Sequence, residues 1–270
     1  MKILVGTLYS GENEFEECVA SIQKQSIKGF EHLVVQDKPN REAHRLLFQT
    51  FMTRKDEFDA LIKVDADMVL CHENLFEQID QWLARETDLE ILTIAVLDFF
   101  SGQLINGLNT YRNTVTWNLT KETLFVDIAE VDLKRTHFDT TYLAPAAIHC
   151  KNPSSYQAFH YGVHRGFKSI ARQHSTTHWA LLEKTWQNFL LTRDVRIGLA
   201  ILGAELVYAG EFSRDDIDYT NPKVKNMLEK YLPLDASGVE KEIRELRIRN
   251  WGFLPGDLRR RVVRYWRSKN

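Results

Sequence analysis

The first hundred residues alternate between two hydrophobic periods. Lys2–Thr7 is an apolar run that predicts a buried strand, closed by the polar turn Leu8–Asn13. Glu14–Gln25 then sets Phe15, Cys18, Val19 and Ile22 on one helical face. Glu31–Gln36 predicts a second strand, with Asp37 at its carboxyl end. Arg41–Thr53 predicts a helix in which His44 breaks a regular pattern, and Ala60–Val64 predicts a third strand. Leu75–Arg85 is again amphipathic, and Leu89–Leu97 reads as a fourth strand. Strand and helix in strict turn imply an α/β fold with a mainly parallel sheet covered on both faces.

The pattern changes after residue 101. Gly102–Ala144 is rich in Thr, Val, Tyr and Asn and predicts a small antiparallel element, around Thr114–Leu119 and Thr123–Ile128. Beyond Pro153 the chain reads as helical, over Tyr156–Gln173, Trp179–Gly203 and Lys223–Tyr231. The tail from Glu240 is charged and holds a basic helix. We expect a main domain over 1–215, with a donor half (1–100) and an acceptor half (101–215), and a helical extension over 216–270. The 270 residues, 44% hydrophobic and 27% charged, suffice for such a core. A net charge of −2 argues against nucleic acid as a partner. Cys18, Cys71 and Cys150 lack metal-ligand spacing and read as reduced thiols of a cytoplasmic protein. No signal-peptide core and no apolar run of ~18–20 residues is present.

Asp65-Ala66-Asp67 carries the chemistry. It follows the third strand, and in open α/β sheets ligands bind at the carboxyl ends of strands. A strand-to-loop transition can turn both acids toward one ion. Hard cations such as Mg²⁺ and Mn²⁺ take these oxygen ligands and share them with substrate phosphates. Alone, the same spacing also occurs in solvated loops.

The opening strand and turn, the helix ending in Ser21-Ile22-Gln23-Lys24-Gln25, Asp37 and Asp65-Ala66-Asp67 together resemble the nucleotide-sugar-binding half of GT-A-type glycosyltransferases. The likeness is to family-2-like enzymes of bacterial surface polysaccharide synthesis. Ala147–Pro153 and Gln157–Lys168 look like the post-catalytic region of related transferases. The resemblance implies a Rossmann-like GT-A fold and transfer from a nucleoside diphosphate sugar to a glycan or lipid-linked acceptor. It places Thr7, Tyr9 and Glu12 beside the nucleoside and Asp37 on the base. Asp65 would contact ribose or metal, and Asp67 would ligate the Mn²⁺ or Mg²⁺ that bridges the diphosphate. His149 is the first candidate for a further metal contact and His160 the second.

Charge builds on the leaving diphosphate, so a cation on Asp67 would act as a Lewis acid. Arg165 and Lys168 are placed in sequence to close over phosphates. Lys63 is expected to point away from at least one acid of the pair. An inverting enzyme needs a general base. Asp194, Asp98 and Glu130 are the candidates, although Arg193 and Arg196 would keep Asp194 ionised, which does not favour a base. Inversion and retention both stay open.

His160 and His164 share a helix face. Trp117 and Trp179 are candidates for stacking on sugar or base, whereas Trp186 lies in an apolar-periodic helix and reads as core. Asp257–Lys269 carries six cations and one acid, with Leu258, Val262, Tyr265 and Trp266 near one face. Such a helix suits an anionic bilayer, which would put the protein on the inner membrane face. Two other classes fit the pattern: a nucleotide-sugar-binding scaffold without turnover, and a nucleotidyltransferase. The Leu8–Asn13 turn, with one Gly and no Lys or Arg, disfavours the last.

Overall fold

The computed structural model describes residues 1–117, 129, 132–171 and 175–250. Glu130, the basic tail and most of the antiparallel pair expected over 114–128 lie outside them. The chain forms two compact units, Met1–Pro153 and the chain from Ser154 onward. The boundary falls inside the segment read above as the acceptor half.

The first unit runs β1 (Ile3–Tyr9), α1 (Phe15–Gln23), β2 (Phe30–Gln36), α2 (Asn40–Thr53), β3 (Ala60–Lys63), β4 (Met68–Leu70), α3 (Leu75–Arg85), β5 (Ile91–Asp98), β6 (Leu104–Arg112), β7 (Thr136–Asp139) and β8 (Ala147–His149). Among the described residues these strands form one eight-stranded sheet in the order β2-β1-β3-β6-β5-β8-β4, with β7 also beside β5. The expectation of a mainly parallel sheet is corrected here: the sheet is mixed. β3 and β5 each pair antiparallel with β6, and β4 pairs antiparallel with β8. The cause is local. β5 returns through a short turn as β6, with Gly102 at a φ of 64°, and a hairpin needs no crossover helix.

Pairing directions put six strands on a common heading: β1 with β2 and β3, and β5 with β7 and β8. Because β6 is antiparallel to both β3 and β5, those two also agree. Tyr9, Gln36, Lys63, Asp98 and His149 therefore end their strands on one rim of the sheet.

Strand alternation loads both faces. Ile3 and Val5 of β1 pack with Cys18 and Ile22 of α1 and Phe76 and Ile79 of α3. Leu4 between them packs with Leu47, Phe48 and Phe51 of α2 and with Trp117. Trp117 lies flat on Phe48 at 4.4 Å between ring centroids, so it is core and not a sugar platform. Gly6 permits the close approach of α2, because a Cβ there would meet Leu47 Cδ1 at 2.4 Å.

The second unit is helical: α4 (Ser155–Ile170), α5 (Ser175–Thr192), α6 (Val195–Tyr208), α7 (Pro222–Leu228) and α8 (Ala236–Asn250). Ser154 and Gln157 form a capping box that starts α4. The single helix expected over Trp179–Gly203 is broken, because Arg193 takes a φ of 57° and Asp194 caps α6. Every residue from Ile197 to Val207 is buried, so α6 is the centre of this unit. Glycines let α4 lie against it: a Cβ on Gly162 would sit 1.8 Å from the Ala200 carbonyl oxygen. Trp186 packs as expected and carries the Arg247 guanidinium over its ring at 4.5 Å. No described helix is long and apolar enough to cross a membrane.

Candidate active site

The rim of the first unit gathers a connected group of acids around one histidine. His149 is the last residue of β8 and sits opposite both Met68 of β4 and Asp98 of β5. Its Nδ1 donates to Asp98 Oδ1 at 2.8 Å, and its Nε2 lies 3.4 Å from Asp67 Oδ2. Asp98 is fully buried, and its other oxygen accepts from the Ser101 N–H at 2.8 Å and the Ser101 hydroxyl at 2.5 Å. The β5–β6 turn therefore holds Asp98, and Asp98 orients His149.

Cys150 follows directly. Its N–H bonds the Asp67 carbonyl at 2.7 Å, and its φ of 52° is left-handed, a conformation uncommon outside glycine. That turn brings its Sγ to 3.3 Å from Asp67 Oδ2 and 3.6 Å from His149 Nε2. Asp67, His149 and Cys150 form a group able to hold a metal ion. Asp67 Oδ1 is buried and has no hydrogen-bond partner.

Electrostatics tie these groups together. Burial opposes charge on His149, but Cys150, Asp67 and Asp98 outweigh it and hold its pKa well above the ordinary value. Burial likewise works against the Asp67 anion, yet His149, Cys150 and Lys63 keep its pKa low. Burial, with the charge of Asp67, pushes the Cys150 thiol up. Glu12 accepts from the Ser10 N–H at 2.7 Å. Burial, reinforced by the charges of Asp67 and Asp65 and opposed by the Ser10 bond, pushes its carboxyl up to about 7. An acid of that strength exchanges protons near neutral pH.

The acidic pair is split. Asp65 Oδ1 is bound by Lys63 Nζ at 2.5 Å. Lys63 thus points to an acid of the pair and neutralises it, and Asp67 joins His149 and Cys150. Asp37, at a φ of 51°, is exposed at the end of β2. Tyr9 stacks on Phe15 at 3.9 Å, nearly coplanar. Thr7 is buried, and its hydroxyl is shared with His32 Nε2 at 2.9 Å.

The remaining candidates belong to the second unit. Asp194 caps α6 through the Arg196 N–H at 2.9 Å and pairs with the Arg196 guanidinium at 2.7 Å, which lowers its pKa. Arg165 contacts His178 Nδ1 at 3.0 Å and covers Tyr161, and it lies with Lys168 on α4. His160 donates Nε2–H to the Ile217 carbonyl at 2.6 Å, and burial lowers its pKa.

Cys150 and the roles of Asp98 and Lys63 are what the pattern reading missed. The signal for Cys150 was its adjacency to His149.

No family model matches the chain, and no curated protein matches it in sequence. Solved structures do match. S. aureus TarS is 12% identical with a TM-score of 0.35, over 93% of this chain and 54% of that one. A197 from STIV is 11% identical with a TM-score of 0.34, over 42% of this chain and 66% of that one. The chain thus spans about half the length of TarS.

Proposed function

We propose that the protein is a metal-dependent glycosyltransferase that takes a nucleoside diphosphate sugar as donor. The observation that carries this reading is the approach of His149 Nε2 to Asp67 Oδ2 at 3.4 Å, on the rim where β2 also ends, with Asp37 just after it. The donor set fits a divalent cation: Asp67 Oδ1 is buried without a partner, and His149 Nε2 faces the same carboxylate. Asp67 and His149 would hold the ion, which would supply positive charge for the leaving diphosphate. The Mn²⁺ or Mg²⁺ expected from the acidic pair is the starting proposal for its identity, now on Asp67 and His149 because Asp65 is bound to Lys63.

The chain's own residues do the rest. Asp98 fixes the His149 ring with Nε2 toward Asp67, where it would hold the ion. Lys63 holds Asp65 in place and adds positive charge next to Asp67. Asp37 is exposed and suited to accept hydrogen bonds from a base, and the Tyr9–Phe15 stack offers an aromatic edge near it, since the Asp37 N–H donates to the Tyr9 carbonyl at 3.0 Å. Asp194 we assign to capping α6, since a carboxylate held low by Arg196 is a poor proton acceptor. Arg165 and Lys168 remain proposed phosphate contacts. The acceptor is proposed to be a glycan or a lipid-linked glycan, with the tail over 257–269 as the contact with an anionic membrane.

The test is a panel of nucleotide sugars offered with Mn²⁺, Mg²⁺ or no metal. A true donor at about 100 times its Kd should stabilise the fold by about 2.7 kcal/mol, and release of nucleoside diphosphate should need the metal. If no nucleotide sugar stabilises the protein under any condition, the transferase reading is lost.

A further inference from the structure

The three donor atoms around Asp67 have a size that chooses among metals. Their separations are 3.3 Å from Cys150 Sγ to Asp67 Oδ2, 3.4 Å from His149 Nε2 to Asp67 Oδ2, and 3.6 Å from Sγ to Nε2. In a tetrahedral site, bonds of about 2.0–2.2 Å to N and O and about 2.3 Å to S put neighbouring ligands about 3.4–3.6 Å apart. An octahedral ion with bonds of about 2.0–2.1 Å puts neighbours only about 2.9 Å apart. The observed triangle is closer to one face of the tetrahedron than to the octahedral spacing, with the Sγ–Oδ2 edge, a thiol hydrogen bond, the shortest.

Three other features agree. Asp65, the oxygen ligand a hard cation would want, is bound to Lys63. The Nδ1 of His149 is held by Asp98, the kind of carboxylate partner that metal-binding histidines usually have on their other ring nitrogen. Cys150 reaches the group only through a left-handed backbone, and such strain gathers at functional sites.

We infer that Cys150 is the third protein ligand of this site, and that the site takes a four-coordinate thiophilic divalent cation, of the Zn²⁺ or Co²⁺ kind, in preference to Mg²⁺. The inference rests on the cation site of the preceding reading and sharpens it. On binding, metal–sulfur and metal–nitrogen bonds form, and the thiol proton of Cys150 and the Nε2 proton of His149 leave to solvent. Three protein ligands leave a fourth position for an oxygen of the substrate, the pattern of catalytic rather than structural sites. Soft thiolate donors select such ions by ligand type.

The test is Co²⁺ titration of the full-length protein, read by absorption. The expected result is a near-ultraviolet thiolate-to-cobalt band that saturates at one ion per chain, and weaker visible bands of tetrahedral intensity. Cys150→Ser should abolish the near-ultraviolet band and weaken Zn²⁺ binding at least tenfold relative to Mn²⁺. Cys150→Asn, which tolerates the left-handed backbone, is the control should the serine variant misfold, and far-ultraviolet circular dichroism checks both. Co²⁺ binding without the sulfur band, or unchanged ion preference in a folded Cys150 variant, overturns the ligand role and leaves the cation site standing. No binding of Co²⁺, Zn²⁺ or Mn²⁺ overturns both.

Discussion

Asp98 touches no part of the proposed cation, yet two hydrogen bonds from Ser101 and one from His149 make it the anchor of the site. Removing its charge while keeping its shape separates orientation from ligation. In Asp98→Asn the His149 ring loses its preferred tautomer partner, and metal affinity should fall about 10–100-fold while the fold is retained. Isothermal titration with Zn²⁺ reads this directly, and unchanged affinity would mean that the Asp98–His149 bond serves packing alone. At this scale the chain was partly legible. Asp37 and Asp67 were picked out because strand ends are where such sheets bind ligands, and the structure puts both on the rim where β2 and β3 end. The Lys63–Asp65 pair was within reach as well, since residues two apart on a strand share a side. Cys150 was not, because its role depends on β8 lying between β4 and β5, a pairing across some eighty residues of sequence.

At the scale of elements, α4 carries a second group whose behaviour follows from burial. Nε2 of His164 is buried with no hydrogen-bond partner. Burial, followed by the positive charges of Lys168, His160 and Arg165, holds its pKa well below the ordinary value. His160, one turn earlier, is lowered by burial too. The sign is therefore set: below about pH 6.5 the unfolded chain binds protons that the folded one refuses. The contribution of these two histidines to stability should be full above that pH and fall as the pH drops toward their folded pKa values, by up to about 1.4 kcal/mol per pH unit for each histidine. His164→Leu should remove its share of that slope. Comparing the two proteins by thermal unfolding between pH 7.5 and 5.5 isolates it from Glu205, whose carboxyl burial raises. Parallel slopes would contradict the assignment. The spans of α4, α5 with α6, and α7 were readable from period, whereas the break at Arg193 and the start of α8 at Ala236 were not. The β5–β6 hairpin was not, because alternation does not tell a strand its neighbour's direction.

Across the whole molecule, one sheet rim collects the ends of β1, β2, β3, β5 and β8, and with them the residues proposed to hold a base, a cation and its orienting partners. The α/β class and the strand ends came through in the pattern because burial imposes a period on each element. Strand order did not, since it is decided by contacts distant along the chain. The claim on which the rest stands is that Asp67 binds a nucleoside diphosphate through a divalent cation. Calorimetric titration of nucleoside diphosphates into wild type and Asp67→Asn, each with Mn²⁺, with Co²⁺ and with chelator, tests it most directly. The expected result is diphosphate binding to wild type that strengthens at least tenfold with one of the metals and loses that metal dependence in Asp67→Asn. Metal-independent binding of equal strength in both proteins, or no binding to either, would contradict it.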